Sequence, residues 1–443
     1  MLILVLNCGS SSVKYKLIDT DTETALAEGG VEKVGMTDTF LKYRNHEGGK
    51  SIRQLGHADH KGSVKAILDL LTDPTEGCIK DYSCIKAVGH RLVHGGEKFN
   101  KSVLIDEAVK DMVRQCYVLA PLHNPANMTG VEAIEAILPD VPQVGVFDTA
   151  FHQTMPAKSY IYPLPYRFYE EDGVRRYGFH GTSHRYVSQR VCQILNCDIT
   201  DKRIITCHIG NGGSITAVNH GKSVDTSMGL TPTEGLMMGT RVGDVDPGVL
   251  TFLMEKHGYT AADIQHIINK ESGVQGVSGV SSDMRELEKA VSEGNPRAIL
   301  ALSIYQQRII KYIGAYAAEM GGVDIIVFTG GVGENQTGLR ADVCRPLAFI
   351  GVKIDEELNA RTRGTETVLS TDDSAVKVVV VPTDEELMIA RDTRDIVSKL
   401  RHPTLENTTA DGRLLFAVHP LSLYRLHQSR NSATHSARNH HST

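Results

Sequence analysis

The sequence predicts an α/β protein built from two related halves, each with its own β-sheet. Residues 2–6 form an apolar run that stops at a Gly/Ser turn, after which residues 13–19 alternate between apolar and polar. The same succession recurs at residues 204–209, 210–214 and 215–218. Such runs predict strands, and the Gly/Ser segments predict tight turns that join them. Because the pattern occurs twice, we expect a duplicated domain with a cleft between the two copies.

The composition fits a folded protein of two domains. At 443 residues, 41% of them hydrophobic and 23% charged, the chain is too long for one ordinary core. Its formal net charge of -6 gives no support to nucleic-acid binding. The eight cysteines include no CxxC pair, which favours reduced thiols over a disulfide framework or a zinc site. No signal peptide or membrane-spanning stretch is recognisable, so we expect a cytoplasmic protein without a membrane partner.

Short strands and helices are mixed in the first half of the chain. Residues 85–96 predict a strand that enters a glycine-rich loop, and residues 141–148 predict a buried strand that ends in a carboxylate. A proline- and tyrosine-rich stretch, residues 155–169, follows. We therefore place a first domain at residues 1–150 and a second at residues 151–384.

The second half carries the strongest helix signal of the chain. Between residues 296 and 320, apolar residues recur at three- and four-residue spacing, which is the period of an amphipathic helix. Residues 323–328 and 376–381 predict buried strands, and residues 385–399 predict a helix. Residues 401–443 are rich in His, Ser, Asn and Thr, which favours a disordered tail, with a metal-binding His tract as the alternative.

Three glycine-rich turns at strand ends are candidate phosphate-binding sites: residues 7–12, 208–214 and 329–335. Their small residues leave backbone N–H groups and hydroxyls unobstructed, so a turn of this kind can hold phosphate oxygens. Asn7 adds an amide oxygen for a metal ion or its water, and Lys14 adds a cation. Ligands of open α/β sheets gather at strand carboxyl ends, so we expect the three loops to converge. For each of them, a plain turn without a ligand is the alternative.

Charged residues beside glycine-rich segments are candidate ligands for anions and metal ions. Arg91 and Arg241 both have this setting, and a guanidinium group suits a carboxylate or a phosphate. Asp148, at a strand end, is a candidate for coordinating magnesium through water or for orienting a nucleophile, and a turn cap is the alternative. His180 and His184 have the spacing of a zinc pair, but the glutamate of the HExxH motif is missing, so we favour one donor histidine.

Taken together, these segments resemble the acetate kinase family. Six segments carry the resemblance in sequence order: residues 7–14 (NCGSSSVK), 89–96 (GHRLVHGG), 147–152 (FDTAFH), 177–184 (YGFHGTSH), 239–244 (GTRVGD) and 329–335 (TGGVGEN). The match extends from the first residue to the region of residue 400. It implies two duplicated actin-like ATPase domains of the ribonuclease H type with an interdomain cleft, and a last helix, residues 385–400, that returns to the first domain.

The resemblance also implies a reaction and its cofactor. Such an enzyme transfers a phosphoryl group directly and reversibly from ATP to acetate, with Mg²⁺, giving acetyl phosphate and ADP, and it is usually a homodimer. The implied catalytic residues are Arg91, Asp148, His180 and Arg241, and the implied metal-associated residues are Asn7 and Glu385. The implied nucleotide-binding residues are Lys14, His208, Ile209, Gly210, Asn211, Gly212, Asp283, Met284, Arg285, Gly331, Val332, Gly333, Glu334 and Asn335. One residue departs from the family pattern: Asp384 stands where Asn is usual, and we expect its carboxylate to alter metal affinity.

The implied acetate pocket is small and apolar. Beside Arg91 it is lined by Val93, Leu122, Phe179 and Pro232, and the bulk of Val93 favours acetate over longer acids. One methylene discriminates by only about 1–3 kcal/mol, so propionate should be a poorer substrate, and a propionate or broader short-chain carboxylate kinase is the close alternative. Two alternatives belong to other functional classes. An ATP-driven conformational protein of the Hsp70 or actin kind does not need a second arginine-lined anion site. A polyphosphate hydrolase would transfer the phosphoryl group to water.

Overall fold

The computed structural model describes residues 1–121 and 123–401, which contain two β-sheets with helices packed on them. The packing groups Met1–Ile396 into one unit; of a second unit, Val397–Thr443, only the end of the last helix belongs to the described residues. The predicted tail, residues 401–443, therefore lies outside the described residues apart from its first position. Among the described residues, no helix combines the length and the apolar character that crossing a membrane requires.

Runs of strands and runs of helices follow one another along the chain. The strands are β1 (Leu2–Cys8), β2 (Ser12–Asp19), β3 (Thr24–Glu32), β4 (Thr39–Asn45), β5 (Lys50–Gly56), β6 (Ala87–Leu92), β7 (Val103–Leu104), β8 (Gln143–Phe147), β9 (Arg203–Ile209), β10 (Gly213–Asn219), β11 (Lys222–Thr226), β12 (Ile325–Thr329), β13 (Thr367–Val368) and β14 (Lys377–Val380). The α-helices are α1 (His60–Leu71), α2 (Glu107–Gln115), α3 (Asn124–Ile137), α4 (Ala157–Tyr160), α5 (Arg167–Asp172), α6 (Gly181–Ile194), α7 (Pro247–His257), α8 (Ala261–His266), α9 (Gly273–Ser278), α10 (Met284–Ser292), α11 (Pro296–Glu319), α12 (Gly330–Asn335), α13 (Thr337–Cys344), α14 (Glu356–Arg361) and α15 (Glu385–Arg401). Short 3-10 helices lie at Tyr82–Cys84, Cys116–Val118, Ala150–Thr154, Ile199–Asp201 and Arg345–Ile350, and one π-helical turn lies at Ile267–Glu271.

Both sheets repeat one five-stranded plan. In the first sheet, ordered β5-β4-β3-β2-β1-β6-β8-β7, strands β1 to β3 form an antiparallel meander, and β6 and β8 add parallel strands beside β1. In the second sheet, ordered β11-β10-β9-β12-β14-β13, strands β9 to β11 form the meander, and β12 and β14 add the parallel strands. The repeat confirms the predicted fold class, an α/β protein with duplicated sheets.

The two predicted Gly/Ser turns occupy equivalent places in the two sheets. The first joins β1 to β2, and the Gly9 N–H donates to the Ser12 carbonyl oxygen at 2.8 Å. The second joins β9 to β10, and the Gly210 N–H donates to the Gly212 carbonyl oxygen at 2.9 Å. Each turn therefore lies at the carboxyl end of the first strand of its sheet.

Alternation along β9 separates an apolar face from a polar one. Cys207 and Ile209 lie in the core of the second half, which α11 covers with a stripe of buried residues. Thr206 and His208 point to the opposite face, where α6 packs. This polar face of β9 is one wall of the site described below.

The third glycine-rich segment differs from the prediction of a loop. The short helix α12 begins directly after β12. Glycine is a poor helix former, so composition favoured a loop. However, the Glu334 carboxylate accepts the Gly330 N–H at 2.9 Å, and the Asn335 amide donates to the Gly331 carbonyl oxygen at 2.8 Å. These side chains stabilise the turn that the glycines alone would leave open. The other predicted elements are present as β6, β8, β12, β14, α11 and α15.

Candidate active site

The carboxyl ends of three neighbouring strands bring Asn7, Arg91 and Asp148 together. Strands β1, β6 and β8 are parallel, and Asp148 follows directly after β8. The Arg91 guanidinium donates to both carboxylate oxygens of Asp148, with Nε–Oδ1 at 3.0 Å and Nη2–Oδ2 at 2.6 Å, and its Nη1 lies 3.4 Å from Asn7 Oδ1. Asp148 is only 1% exposed, and its charge raises the pKa of Arg91. The guanidinium is therefore held, fully charged, at the end of the first sheet.

Lys14 lies on the same face of the sheet as Asn7. The two residues pair directly across β1 and β2, so their side chains point the same way. Lys14 is exposed and forms no ion pair with any residue that the structure describes. Ser10 and Ser11, in the intervening turn, are exposed as well. The first turn thus presents a cation and two hydroxyls beside Asn7.

Glu385 begins α15 within electrostatic reach of the Arg91–Asp148 pair. Burial raises the pKa of its carboxyl to about 7; Arg91 opposes this rise, and the charge of Asp148 adds to it. A carboxyl kept from water beside a second carboxylate gains stability when a further cation binds nearby. Glu385 therefore has the electrostatic setting of a metal-associated residue.

Asp384, the departure from the family pattern, is occupied by local contacts. Its Oδ1 accepts the Leu387 N–H at 3.0 Å, as a helix N-cap does, and lies 3.5 Å from Lys16 Nζ. Asn and Asp cap helices about equally well, so the residue usual in the family would make the same contact to α15. These contacts tie the Asp384 carboxylate to its own helix and to β2.

The second turn brings His180 and Arg241 to one point. His180 has a left-handed backbone, with φ of 55°, at the start of α6, and its ring stacks on that of His208 with centroids 4.3 Å apart. A Cβ atom on Gly212 would lie 3.3 Å from Arg241 Nη1, which is a tight contact, and 3.7 Å from His180 Cε1, so both side chains approach the same glycine. Burial, followed by neighbouring histidines and arginines, holds the pKa of His180 well below its usual value. Its imidazole is therefore neutral near pH 7.

Arg241 differs from Arg91 in having no carboxylate partner among the described residues. Its Nη1 donates to the Pro232 carbonyl oxygen at 3.2 Å and lies 3.6 Å from Met238 Sδ. Burial lowers its pKa from the ordinary arginine value, but the group remains a cation near pH 7. A half-buried guanidinium without a counter-ion is suited to bind an anionic ligand.

A small apolar cluster adjoins Arg241. Val93 and Phe179, both predicted for the acetate pocket, are buried together with Met228 and Met238. The two methionines were not predicted, although Met238 precedes Arg241 in the same glycine-rich segment. Pro232 meets Arg241 through its carbonyl oxygen. The remaining predicted pocket residue, Leu122, lies outside the described residues.

The segments predicted to bind the nucleotide meet around the second turn. The Gly239 N–H donates to the Asn211 carbonyl oxygen at 3.2 Å, and a Cβ on Gly239 would lie 3.2 Å from the carbonyl oxygen of Ser282. Similarly, a Cβ on Gly330 would lie 2.8 Å from the Ile209 carbonyl oxygen, so α12 begins against the same turn. The neighbouring segments are residues 208–212, 283–285 and 331–335.

Side chains within these segments differ in their access to a ligand. The exposed residues are Asn211, Arg285, Gly331 and Asn335, and Arg285 forms an ion pair with Asp283 at 2.6 Å. Those in or against the core are Ile209, Met284 and Val332, and Gly333 is buried too. The Glu334 carboxylate is engaged by the N–H groups of Gly330 and Thr383, at 2.9 and 3.2 Å. Core residues can serve a nucleotide only through their backbone.

His123 was not predicted, yet it lies near the charged centre. Partial burial lowers its pKa, and the positive charges of Arg91 and Arg241 lower it further. The sequence around it, at the start of α3, carries no glycine-rich turn or buried strand end that would have drawn attention to it. Two arginines from different halves of the chain therefore act on one imidazole.

A model of the Acetokinase family matches residues 2–391. The chain belongs to the acetokinase family. Among its relatives in this family, the acetate kinase of Phocaeicola vulgatus is 62% identical over 399 residues, which is 90% of this chain and 100% of the relative.

Two solved structures place this acetokinase among known folds. The crystal structure of Porphyromonas gingivalis acetate kinase has 59% sequence identity and a TM-score of 0.87, covering 89% of this chain and 99% of that one. The crystal structure of a propionate kinase from Francisella tularensis has 40% identity and a TM-score of 0.83, with the same coverage.

Proposed function

We propose that this chain is an acetate kinase, which transfers a phosphoryl group reversibly between ATP and acetate to give acetyl phosphate and ADP. One observation supports the proposal more than any other. Arg241, which has no carboxylate partner among the described residues, adjoins both the neutral His180 and the apolar cluster of Val93, Phe179, Met228 and Met238. The apolar cluster suits the methyl group of a short carboxylate, and the guanidinium suits the phosphoryl group that this carboxylate attacks.

The roles of these side chains follow from the charges in the reaction. Acetate is already ionised at pH 7, so the attack needs no strong general base. The obstacles are repulsion between two anions and the charge on the phosphoryl group in flight. Arg91, held by Asp148, binds the acetate carboxylate, while Arg241 and the neutral His180 stabilise the transferring phosphoryl group. Asp148 acts by orienting Arg91 rather than by taking a proton, and its carboxylate would also help to position a bound Mg²⁺.

Asn7 and Glu385 are the residues that would hold Mg²⁺. Their amide and carboxylate oxygens are the donors that magnesium prefers, and burial of Glu385 beside Asp148 favours a cation there. Among the described residues, no three His, Cys, Asp or Glu side chains converge as a complete metal cage. Mg²⁺ held there would supply positive charge against the nucleotide phosphates. Lys14 and residues 208–212, 283–285 and 331–335 form the nucleotide side of the site.

The domain boundary, assembly and location are part of the proposal. A Cβ on Gly89 of β6 would lie 2.5 Å from Thr393 Oγ1, so α15 packs closely on the first sheet, which supports a first domain of residues 1–150 completed by that helix. No residue of α7 is buried, and Phe252 in it is 55% exposed, which supports a homodimer contact on this face. The free cysteines agree with a cytoplasmic location.

Propionate kinase is the second candidate, and a panel of acids separates the two. We expect hydroxylamine trapping with ATP and Mg²⁺ to give the highest kcat/KM for acetate, a lower value for propionate and the lowest for butyrate. The expected step is about tenfold per methylene, since pocket discrimination of one methylene is modest. A higher kcat/KM for propionate would assign the chain to the second candidate, and equal values for all three acids would remove the pocket argument.

A further inference from the structure

A chain of hydrogen bonds begins at His180 and continues into buried side chains. His180 Nδ1 lies 2.9 Å from Ser214 Oγ, and the same oxygen lies 2.7 Å from His184 Nε2. His184 Nδ1 in turn lies 2.7 Å from Thr206 Oγ1. Ser214, His184 and Thr206 are each 0% exposed. Water therefore has no access to these three side chains, so their hydrogen bonds must be satisfied within the chain that ends at His180.

The helical repeat of α6 and the side-chain alternation of β9 and β10 place these four side chains together. His180 and His184 are one turn apart at the start of α6, so they lie on the same helix face. Ser214 of β10 pairs directly with His208 of β9, and it points to the same polar sheet face as Thr206. The hydroxyls of Ser214 and Thr206 on the sheet thus face the imidazoles of His180 and His184 on the helix. The arrangement gives His184 a partner on each ring nitrogen without any metal ion.

The single hydroxyl proton of Ser214 allows two orders of protons along the chain. A serine hydroxyl donates once, so Ser214 must donate to one imidazole and accept from the other. In the first order, Thr206 donates to His184 Nδ1, His184 Nε2–H donates to Ser214, and Ser214 donates to His180 Nδ1. The proton of His180 then lies on Nε2. In the reverse order, His180 donates from Nδ1 and its Nε2 carries only a lone pair.

The anionic ligand distinguishes the two orders. A Cβ on Gly212 would lie 3.8 Å from His180 Nε2 and 3.3 Å from Arg241 Nη1, so this nitrogen faces the same point as the unpaired guanidinium. Phosphoryl oxygens accept hydrogen bonds and repel a lone pair. Only the first order presents an N–H group to them, and a neutral imidazole can act as such a donor without titrating.

We propose that Ser214 is a positioning residue that, together with His184, holds His180 as the tautomer with its proton on Nε2, directed at the transferring phosphoryl group. The inference rests on the proposed phosphoryl transfer for its consequence in catalysis, but the tautomer itself is a property of the folded chain. Neither Ser214 nor His184 touches the reactants; they act through His180.

The test compares Ser214→Ala with Ser188→Ala in the full chain. Ser188 is a matched control, since it is 1% exposed in the same helix as His184 and bonds only to the Arg185 carbonyl oxygen. We expect Ser214→Ala to lower kcat about tenfold, the value of one neutral hydrogen bond, with little change in KM for acetate or ATP. Ser188→Ala should keep the wild-type kcat. His184→Gln, which retains a donor toward Ser214, should keep more activity than His184→Leu.

A second readout measures the tautomer directly. In protein labelled with ¹⁵N-histidine, signals of His180 are assigned by their loss in His180→Gln. We expect the wild type to carry the proton on Nε2 and Ser214→Ala to show a mixture of tautomers. A wild-type proton on Nδ1, or an unchanged tautomer and kcat in Ser214→Ala, would overturn the inference.

If Ser214→Ala does not fold, Thr206→Val tests the far end of the chain, and it should shift the tautomer the same way. Failure of the proposed function would instead appear as an inactive wild type, and the spectra would still decide the tautomer.

Discussion

The Arg91 guanidinium and the Asp148 carboxylate meet through two hydrogen bonds, of 3.0 and 2.6 Å, at the carboxyl ends of adjacent parallel strands. Asp148 is almost fully buried, and the positive charge of Arg91 neutralises its carboxylate there. The carboxylate, in turn, fixes the plane of the guanidinium. The pair therefore supplies an oriented positive charge rather than a general base.

The geometry of this pair predicts that charge alone is insufficient at position 91. Arg91→Lys keeps the charge but loses the two-pronged contact, so we expect kcat/KM for acetate to fall about 10²-fold, as for the loss of one oriented charge-stabilising donor. Asp148→Asn should also lower kcat/KM for acetate, because the guanidinium is then free to rotate. Arg345→Lys, at an exposed ion pair with Glu356, is the control and should be silent. Wild-type kinetics in Arg91→Lys would exclude the orienting role.

The second prediction concerns the room that Gly212 leaves for the side chains of Arg241 and His180. The added methyl in Gly212→Ala would press on Arg241 Nη1 from 3.3 Å, while His180 Cε1, at 3.7 Å, would be in ordinary contact with it. We expect kcat/KM to fall about tenfold or more, because small displacements of catalytic groups are costly, while the melting temperature changes little. Gly338→Ala in α13 has open space around the new methyl and should retain full activity. Equal kinetics in the two variants would show that the turn does not set the position of these side chains.

Metal dependence should distinguish Glu385 from its neighbour Asp384. Glu385→Gln removes a carboxylate that would become charged on binding a cation near Asp148, so we expect half-saturation by Mg²⁺ to require a concentration about 10–100-fold higher. Asp384→Asn keeps the N-cap of α15 and should leave the Mg²⁺ titration nearly unchanged, in contrast to the effect that the sequence alone led us to expect. A large shift for Asp384→Asn and none for Glu385→Gln would reverse the assignment of the metal-associated residue.

Asp225 predicts a pH dependence of stability away from the site. Burial raises the pKa of its carboxyl to about 7, although Arg176 opposes the rise and Glu319 adds to it. The folded chain then keeps a proton that the unfolded chain releases near its ordinary value of about 4. Stability from this group is complete at low pH and is lost as pH rises from about 4 to 7. We therefore expect Asp225→Asn to raise the melting temperature more at pH 8 than at pH 5. The opposite order would mean that the ion pair with Arg176 outweighs burial.

The repeated plan of the fold was predictable because it is local. Each meander begins with an apolar run, a Gly/Ser turn and an alternating strand, and these patterns lie within a few consecutive residues of β1 and β9. The short helix α12 was not predictable from composition, because what stabilises it is the return of Glu334 to the Gly330 N–H. Such a side-chain contact leaves no periodic signal in the sequence.

The site was predictable where a motif carries it and not where distant segments meet. Arg91, His180 and Arg241 stand in glycine-rich motifs, and Asp148 follows an apolar strand. The structure places Arg91 and Asp148 at adjacent strand ends, and His180 and Arg241 beside Gly212. Met228 was missed because its place beside Val93 arises only from tertiary packing. The spacing of His184 from His180 matches a zinc pair, but the missing glutamate favoured one donor histidine instead. In the structure both ring nitrogens of His184 bond to hydroxyls, those of Ser214 and Thr206. Those partners come from two other elements, β10 and β9, which spacing along α6 cannot reveal.

Trapping of the product is the most direct test of the central claim. The full chain is incubated with ATP, Mg²⁺, acetate and hydroxylamine, and acetyl hydroxamate and ADP are measured together. The account predicts that the two products form in equal amounts and that omission of the carboxylate stops ADP formation. ADP formation without hydroxamate, at a rate independent of acetate, would contradict it and would identify the chain as a hydrolase.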